Sequence, residues 1–469
     1  MHRMIVIVAV VAAVVVAACG SSAPPPPAKA PASPPPAAPT APVAKGATFP
    51  GTPDTPAGKE LAWVLDTIVN HGGKVERAEI ERHFHPKFLA EVPAEQAAQV
   101  FGQLGAQLHD LTVTKAEGDA ERVLAHISTA AGKLVIALQL DHASQQIAGL
   151  VFRPDADAGP KPTSWDEAQK MVSAAAPHAQ LLVAALDKGS CKSLHEVAPK
   201  DELAIGSTTK LYILLALVDR IAAGKARWED ELAVRDDWKS LPSGTTQGDP
   251  AGTKLSLKTF AERMISISDN TATDHLLYTV GRASVEAAVR ATKHAKPTLN
   301  MPYLSTRELF LLKLSTPPDE VAKYIAWPEA KRRTYLDKTL AGKQPTLDGI
   351  ADWKGARNID KLEWFASADD LCRAMGTLWT RAQNPKLAPL LDVMAKNPGV
   401  PIDTKVFPYV GFKGGSEPGV INLTFLLRRA DDKWFVVTLG VNADAGGTID
   451  EAKAIGIAAG AIELLGRER

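Results

Sequence analysis

Residues 204–224 read AIGSTTKLYILLALVDRIAAG. A polar cluster, Ser207-Thr208-Thr209-Lys210, stands at the head of a run that is otherwise apolar. The stretch LYILLALV has no polar stripe, which predicts a helix buried on every side. Ser207 lies at its start. Residues three apart share a helix face, so Lys210 returns to Ser207. Two chemistries fit. A serine capping a helix, with a lysine one turn on, is common and inert. Alternatively, a hydroxyl at the positive end of a helix faces a lysine that burial inclines to lose its proton, an activated nucleophile with its own base. S-x-x-K by itself favours the cap.

Outward from this helix, the flanking sequence predicts one body from Ser164 to Arg469. A helix, WDEAQKMVSAAA, leads into strand-like AQLLVAALD, and the turn DKGSCKS sends SLHEVAP back. From Ser207 to about Asn397 the pattern is mainly helical. Strand patterns return in VFPYVGFKGGS, INLTFLLRR and KWFVVTLGV, with a turn at Asp431-Asp432, and IDEAKAIGIAAGAIELLG closes the chain as a helix. Strands at both ends of a helical insert predict a mixed α/β body, with one antiparallel sheet pairing the two ends and a helical lobe against it.

Ahead of it, residues 55–154 begin with amphipathic helical segments, AGKELAWVLDTIVN, VERAEIERHF and PAEQAAQVFGQLGAQL. They end in short strand patterns, LTVTKAE, RVLAHIS, KLVIALQL and QIAGLVFR. Helices followed by a meander predict an α+β domain with one curved sheet. His83 and His85 flank Phe84, but an H-x-H pair on a helix does not share a face; a solvated helix end is expected, not a metal site. Residues 155–163, DADAGPKPT, read as a linker.

The first 19 residues carry an early arginine, an apolar stretch from Met4 to Ala18, then Cys19. The stretch is short for a membrane span and fits the apolar region of a secretory signal. Residues 20–54 are a Pro/Ala-rich tether unable to form a core. The chain has 469 residues, 45% hydrophobic and 23% charged, with Lys+Arg and Asp+Glu both at 53. That is a globular composition, and a net charge of zero leaves no field for nucleic acid. Cys191 and Cys372 are open to pairing in an oxidising compartment or to life as buried thiols.

Two further stretches bear on Ser207. ISISDNTATDHLL holds Ser268-Asp269-Asn270, and FPYVGFKGGSEPGVINL holds Lys413-Gly414-Gly415 after a predicted strand. S-x-x-K, S-D-N and K-[ST]-G, in that order, form the signature of class A β-lactamases and penicillin-binding proteins. The segment from Ser164 to Arg469 therefore resembles the penicillin-recognising serine hydrolases. The whole chain is similar to a narrower, two-domain group of the clavulanic-acid-cluster type, in which a cone-shaped, steroid-isomerase-like domain precedes a β-lactamase-like one. The segments FHPKFLAEVPAEQ, IGSTTKLYILLALVDRI, SDNTATDHLL, EWFASADDLCRAM and FKGGSEPGVINL carry that likeness. Val16-Ala17-Ala18-Cys19 resembles the lipobox of bacterial lipoproteins, which implies acylation of Cys19 and a lipid-anchored, exported protein in the bacterial cell envelope.

The resemblance implies roles. Ser207 is the acylated nucleophile and Lys210 its base or proton relay. Ser268 passes a proton to the leaving nitrogen, and Asn270 holds the substrate amide. Lys413, with Gly415 and Ser416 on the same strand, binds substrate, and the N–H groups of Ser207 and Ser416 stabilise the oxyanion. Asp269 braces its loop. The implied partner is a small acyl substrate, β-lactam first, ester or peptidoglycan peptide next, with no metal or organic cofactor; a non-catalytic penicillin-binding or scaffold lipoprotein is the rival outside enzymes. The sequence departs twice from the pattern. Gly414 replaces the usual hydroxyl residue, and no E-x-x-L-N motif supplies a deacylation base. Glu308 and Glu363 are candidates by position, with a surface or salt-bridge role expected for each.

Overall fold

The computed structural model describes residues 49–468 apart from 109, 130–131, 155–158 and 347–352. The expected signal segment, Cys19, and the tether up to residue 48 lie outside the described residues, as do residues 155–158 of the expected linker. Among the described residues no helix is long and apolar enough to cross a membrane. The chain divides into two compact units, with the main boundary near Phe152.

The first unit opens with four helices, α1 (Pro56–Val69), α2 (Arg77–His83), α3 (Pro86–Glu91) and α4 (Ala94–Gln107). Thr55 caps α1 through its hydroxyl, which accepts from Gly58 N at 3.1 Å, and Pro56 presets the first turn. A meander follows, β1 (Thr112–Gly118), β2 (Arg122–Thr129), β3 (Gly132–Leu140) and β4 (Ile147–Pro154), paired in sequence order. Burial alternates along β2, as one covered sheet face requires. His83 is not a solvated helix end: its ring stacks on Trp63 at 3.7 Å and Nδ1 lies 2.7 Å from Glu60 Oε2. His85 instead caps α3.

The second unit starts at α5 (Trp165–Ser173), capped by Ser164. Strands β5 (His178–Asp187) and β6 (Ser190–Val197) form a hairpin, and the short β7 (Leu203–Ala204) leads to α6 (Lys210–Ala222). The lobe continues with β8 (Glu231–Ala233), β9 (Lys254–Ser256), α7 (Leu257–Ser266), α8 (Asn270–Val280), α9 (Arg282–Ala291) and α10 (Thr306–Phe310). After α10 come α11 (Pro318–Ala326), α12 (Glu329–Tyr335), β10 (Phe365–Ala366), α13 (Ala368–Ala382) and α14 (Pro389–Ala395). The chain ends in β11 (Tyr409–Glu417), β12 (Val420–Arg428), β13 (Trp434–Asn442) and α15 (Glu451–Arg467).

The five long strands make one antiparallel sheet in the order β11-β12-β13-β5-β6, which joins the two ends of the sequence as expected. Its faces are covered differently. One packs on the helical lobe, where α6, α8 and α13 share a core with Leu182, Ala184, Leu426 and Val436. The other packs on α5 and α15 through Leu181, Val183, Phe425 and Val437. Both faces are apolar, so β12 has no alternation and nearly every residue is buried. Helix α6 is buried from Lys210 through Val218, the feature its unbroken apolar run predicts. Cys191 on β6 and Cys372 on α13 form a disulfide. One edge strand of the sheet, β11, meets the turn before α6.

Candidate active site

The turn that carries Ser207 precedes the helix. Gly206–Thr209 form one 3-10 turn, and α6 continues from Lys210. Gly206 adopts φ +49°, a left-handed conformation that a side chain would strain. Ser207 is half-buried, whereas Thr208 and Thr209 are buried. Only one of the three hydroxyls therefore faces the cleft. Thr209 turns inward, its Oγ1 2.6 Å from the Tyr303 hydroxyl, so the polar cluster is part site and part core.

Strand β11 lies against this turn. A Cβ on Gly415 would come within 2.1 Å of Ile205 O and 2.6 Å of Ser207 N, so no other residue fits there. A Cβ on Gly206 would sit 3.2 Å from Ser416 N. The backbones of residues 206–207 and 415–416 are thus in close approach, which brings the Ser207 and Ser416 amide nitrogens near one another. Two neighbouring backbone amides are the kind of donor a developing oxyanion requires.

Lys210 is the hub. It is fully buried, and Nζ lies 3.1 Å from Ser207 Oγ, 2.9 Å from Ser268 Oγ, 2.6 Å from Ser268 O and 2.7 Å from Asn270 Oδ1. Burial pulls its pKa down to about 7, against the opposing pull of Asp269 and Asp274. Ser268 itself stands at φ +56°, in the left-handed region. Its carbonyl is held by Ser243 Oγ at 2.8 Å as well as by Lys210. Lys413, on β11, reaches the same hydroxyl from the other side at 3.1 Å and donates to Gly414 O at 2.5 Å. Burial, and then the neighbouring Lys210, push the Lys413 ammonium well below its usual range. Ser268 Oγ therefore bridges two buried amines, both biased towards the neutral form.

Asn270 opens α8. Its Oδ1 serves Lys210 and its Nδ2 donates to Leu241 O at 3.1 Å, so its amide is committed at both ends. Asp269 caps α8: Oδ1 accepts from Ala272 N, and Oδ2 from Thr245 N, Thr246 N and the Thr246 hydroxyl. Asp274 is equally engaged, accepting from Thr306 N, Thr306 Oγ1 and Arg307 N, each at 2.8 Å. Neither carboxylate is spare.

Glu308 and Glu363 are ion-paired, and neither is at the surface. Glu308 sits in the capping box of α10 and pairs with Arg282, 2.6 Å from Nη2. Glu363 accepts from Lys313 Nζ at 2.7 Å and from Trp364 N at 3.0 Å. Lys313 also binds Glu417, the residue after Ser416. Burial works against the Lys313 ammonium, but Glu363 and Glu417 outweigh it and raise its pKa. Burial, then the Glu363 charge, push the Glu417 carboxyl well up. Sequence reasoning named Glu363 but missed its partners Lys313 and Glu417, and missed Ser243. The one signal for the trio was a lone lysine inside the apolar run LFLLKL.

Comparison with known proteins follows this geometry. The profile described as the beta-lactamase enzyme family matches residues 163–399, and one described as the N-terminal region of an ORF 12 gene product matches residues 52–145. No curated protein matches. Among solved structures, a beta-lactamase from Sphaerobacter thermophilus is similar at 19% identity, with TM-score 0.44, over 64% of this chain and 96% of that one. The protein PBP-A is similar at 18% identity, with TM-score 0.42, over 66% of this chain and 98% of its own. A beta-lactamase from Chitinophaga pinensis is similar at 16% identity, with TM-score 0.43, over 64% of this chain and 97% of that one.

Proposed function

The chain belongs to the beta-lactamase enzyme family, and from that premise we propose that it is an exported, lipid-anchored serine hydrolase acylated at Ser207, with β-lactams as its leading substrates. The observation that carries the reading is the contact between a buried Lys210 amine and both Ser207 Oγ and Ser268 Oγ. In the attack, the neutral amine takes the Ser207 proton as Oγ bonds to the acyl carbon. Ser207 N–H and Ser416 N–H receive the charge on the former carbonyl oxygen. The proton then passes from Lys210 through Ser268 Oγ to the leaving nitrogen as the acyl C–N bond breaks. Lys413, on the other side of Ser268 Oγ, would take up a proton as an anionic group of the substrate comes beside it, since an adjacent negative charge favours the ammonium. Asn270 orients Lys210; contact with a substrate amide would require its Nδ2 to be shared with Leu241 O.

Among the described carboxylates near the site, none offers a comparable device for release of the acyl group. The carboxylates acting on Lys210, Asp269 and Asp274, have their oxygens filled. Glu308 and Glu363 are tied to cations. A water at the acyl carbon finds no spare carboxylate among them, so the acyl-enzyme is long-lived. Incubation with a chromogenic cephalosporin, followed by colour and intact mass, tests this. One adduct per chain on Ser207, with turnover well below the ~10 s⁻¹ typical of enzymes, is expected. Neither adduct nor colour sinks the acylation reading; rapid sustained colour sinks its slow-release half.

Lys210 must be neutral to act as base. Its pKa of about 7 therefore predicts acylation that rises with pH through neutrality and flattens above about 8, falling roughly tenfold per unit below about 6. Stopped-flow acylation rates across pH 5.5–9, a window set around that value, check it; a rate flat across the window would remove Lys210 from the role.

One observation favours a second reading, an esterase for substrates without a carboxylate. A Cβ on Gly414 would lie 2.8 Å from the Phe412 ring, so an aromatic edge fills the place next to this position where relatives of the motif carry a hydroxyl. Hydrolysis of a neutral p-nitrophenyl ester in preference to the cephalosporin would select it.

Export and anchoring rest on the apolar leader ending at Cys19. The Cys191–Cys372 disulfide supports export alone, since such bonds persist in oxidising compartments.

A further inference from the structure

Ser243, in the loop between β8 and β9, is half-buried and belongs to none of the three motifs. Its hydroxyl donates to Ser268 O at 2.8 Å. That carbonyl is the nearest of the four contacts of Lys210 Nζ, at 2.6 Å, with Asn270 Oδ1 next at 2.7 Å. Ser268 Oγ and Ser207 Oγ stand further off, at 2.9 Å and 3.1 Å. The four partners differ in kind. A carbonyl oxygen only accepts, and Asn270 presents its oxygen, since its Nδ2 donates to Leu241 O. A neutral amine has two N–H groups and one lone pair. The N–H groups go to the two oxygens that can only accept, and the lone pair is left to face the hydroxyls. That is the state in which Lys210 takes the Ser207 proton. One short segment, residues 241–243, holds both oxygens. Leu241 O fixes the Asn270 amide, Ser243 O accepts from Asn270 N at 2.9 Å, and Ser243 Oγ binds Ser268 O. The peptide that carries Ser268 O is held on its other side too, where Asp269 N donates to Arg263 O at 3.1 Å. Ser268 stands at φ +56°, which a residue other than glycine keeps where contacts enforce it.

We propose that Ser243 is a positioning residue for Lys210: by donating to Ser268 O it aims the Lys210 lone pair at Ser207 and weakens the carbonyl's hold on the ammonium form. The inference rests on acylation at Ser207. Its physical basis is competition for one oxygen. The amine donates three N–H groups when charged and two when neutral, so a stronger acceptor beside it favours the charged form. The Ser243 O–H occupies part of Ser268 O and leaves less of it for the ammonium. The other charges that face the amine are Asp269 and Asp274 from the α8 side, which favour the ammonium, and Lys413 from β11. A change at Ser243 alters none of them. It also leaves the Arg263 and Lys210 contacts of the same peptide in place, so the aim and basicity of the amine change rather than the fold.

Two readouts test this, one of which needs no substrate. In protein carrying isotope-labelled lysine, the Cε signal of Lys210, assigned by its loss in Lys210→Met, is titrated by NMR in the parent, Ser243→Ala and Ser243→Thr. The midpoint should rise by about half a pH unit in Ser243→Ala and return to the parent's in Ser243→Thr, which keeps the hydroxyl. Stopped-flow acylation by the chromogenic cephalosporin should show the same displacement of its pH profile in Ser243→Ala. Its limiting rate should fall about tenfold, while the half-saturating concentration stays within about twofold of the parent's. A Lys210 midpoint equal in the parent and Ser243→Ala overturns the proposal, whether or not the protein acylates. So does a defect confined to the half-saturating concentration, which would make Ser243 a substrate contact, or a Ser243→Thr that behaves as Ser243→Ala. A midpoint displaced in a protein that takes up no acyl group supports the link from Ser243 to Lys210 and overturns acylation at Ser207 instead.

Discussion

Ser207→Ala will form no acyl adduct with any β-lactam or activated ester, and the acylation rate will fall by up to about 10⁶, the loss typical of removing a serine nucleophile from a working triad. The size follows from the geometry. Among the described residues the Lys210 amine has one other hydroxyl partner, Ser268 Oγ, and Ser268 is held at φ +56° with its carbonyl bound by Ser243. The fold should not change. Lys210 loses one of four hydrogen-bond partners and keeps Ser268 Oγ, Ser268 O and Asn270 Oδ1, and Ser207 is only half-buried. A melting point within a degree or two of the parent, with intact mass unshifted by the cephalosporin, is the expected pair of results. An adduct retained in Ser207→Ala would place the nucleophile elsewhere. Ser268 is the first residue to test then, because it shares the same amine.

What could be read from the sequence was what is local or periodic. The apolar run after Lys210 announces a buried helix because no residue on it has anywhere polar to point. The strand patterns at both ends of the second body announce one sheet because each end alone lacks a partner. Residue pairs that close over long separations left almost no trace. Lys313 meets Glu363 and Glu417 only because α10 and its continuation run beneath the end of β11. No spacing encodes that. The same holds for Glu202, His294 and Asp370, drawn together by the pairing of β7 with β10. Thr208 and Thr209 mislead in the opposite sense. Beside Ser207 they look like part of a polar cleft, but the 3-10 turn rotates them into the core, where Tyr303 takes the Thr209 hydroxyl.

The buried trio sets the second large effect. Lys313 is fully buried between Glu363 and Glu417, and Arg357 fixes its backbone carbonyl at 2.7 Å. Lys313→Met removes the cation and leaves two carboxyls facing each other out of water. Breaking a buried ion pair from one side costs about 3–5 kcal/mol, because the charge left behind has neither solvent nor partner. The loss should depend on pH with a definite sign. In the parent, Glu417 already has a carboxyl pKa well above its usual value; without Lys313 that rise can only grow. The folded variant then holds a proton that the unfolded chain releases near pH 4.3, so its stability is greatest in acid and declines as pH rises from about 4.3 towards the folded pKa. Denaturant unfolding at pH 5 and pH 8 should show Lys313→Met close to the parent in acid and far below it in base. Adding Glu363→Gln and Glu417→Gln should recover much of the deficit at pH 8, since both charges are then gone. Glu417 adjoins Ser416, so the variant should also acylate more slowly than its stability at pH 5 explains, as the Ser416 N–H loses its fixed place. A deficit below about 1 kcal/mol at pH 8 would mean that the lysine is not what holds the two carboxylates apart.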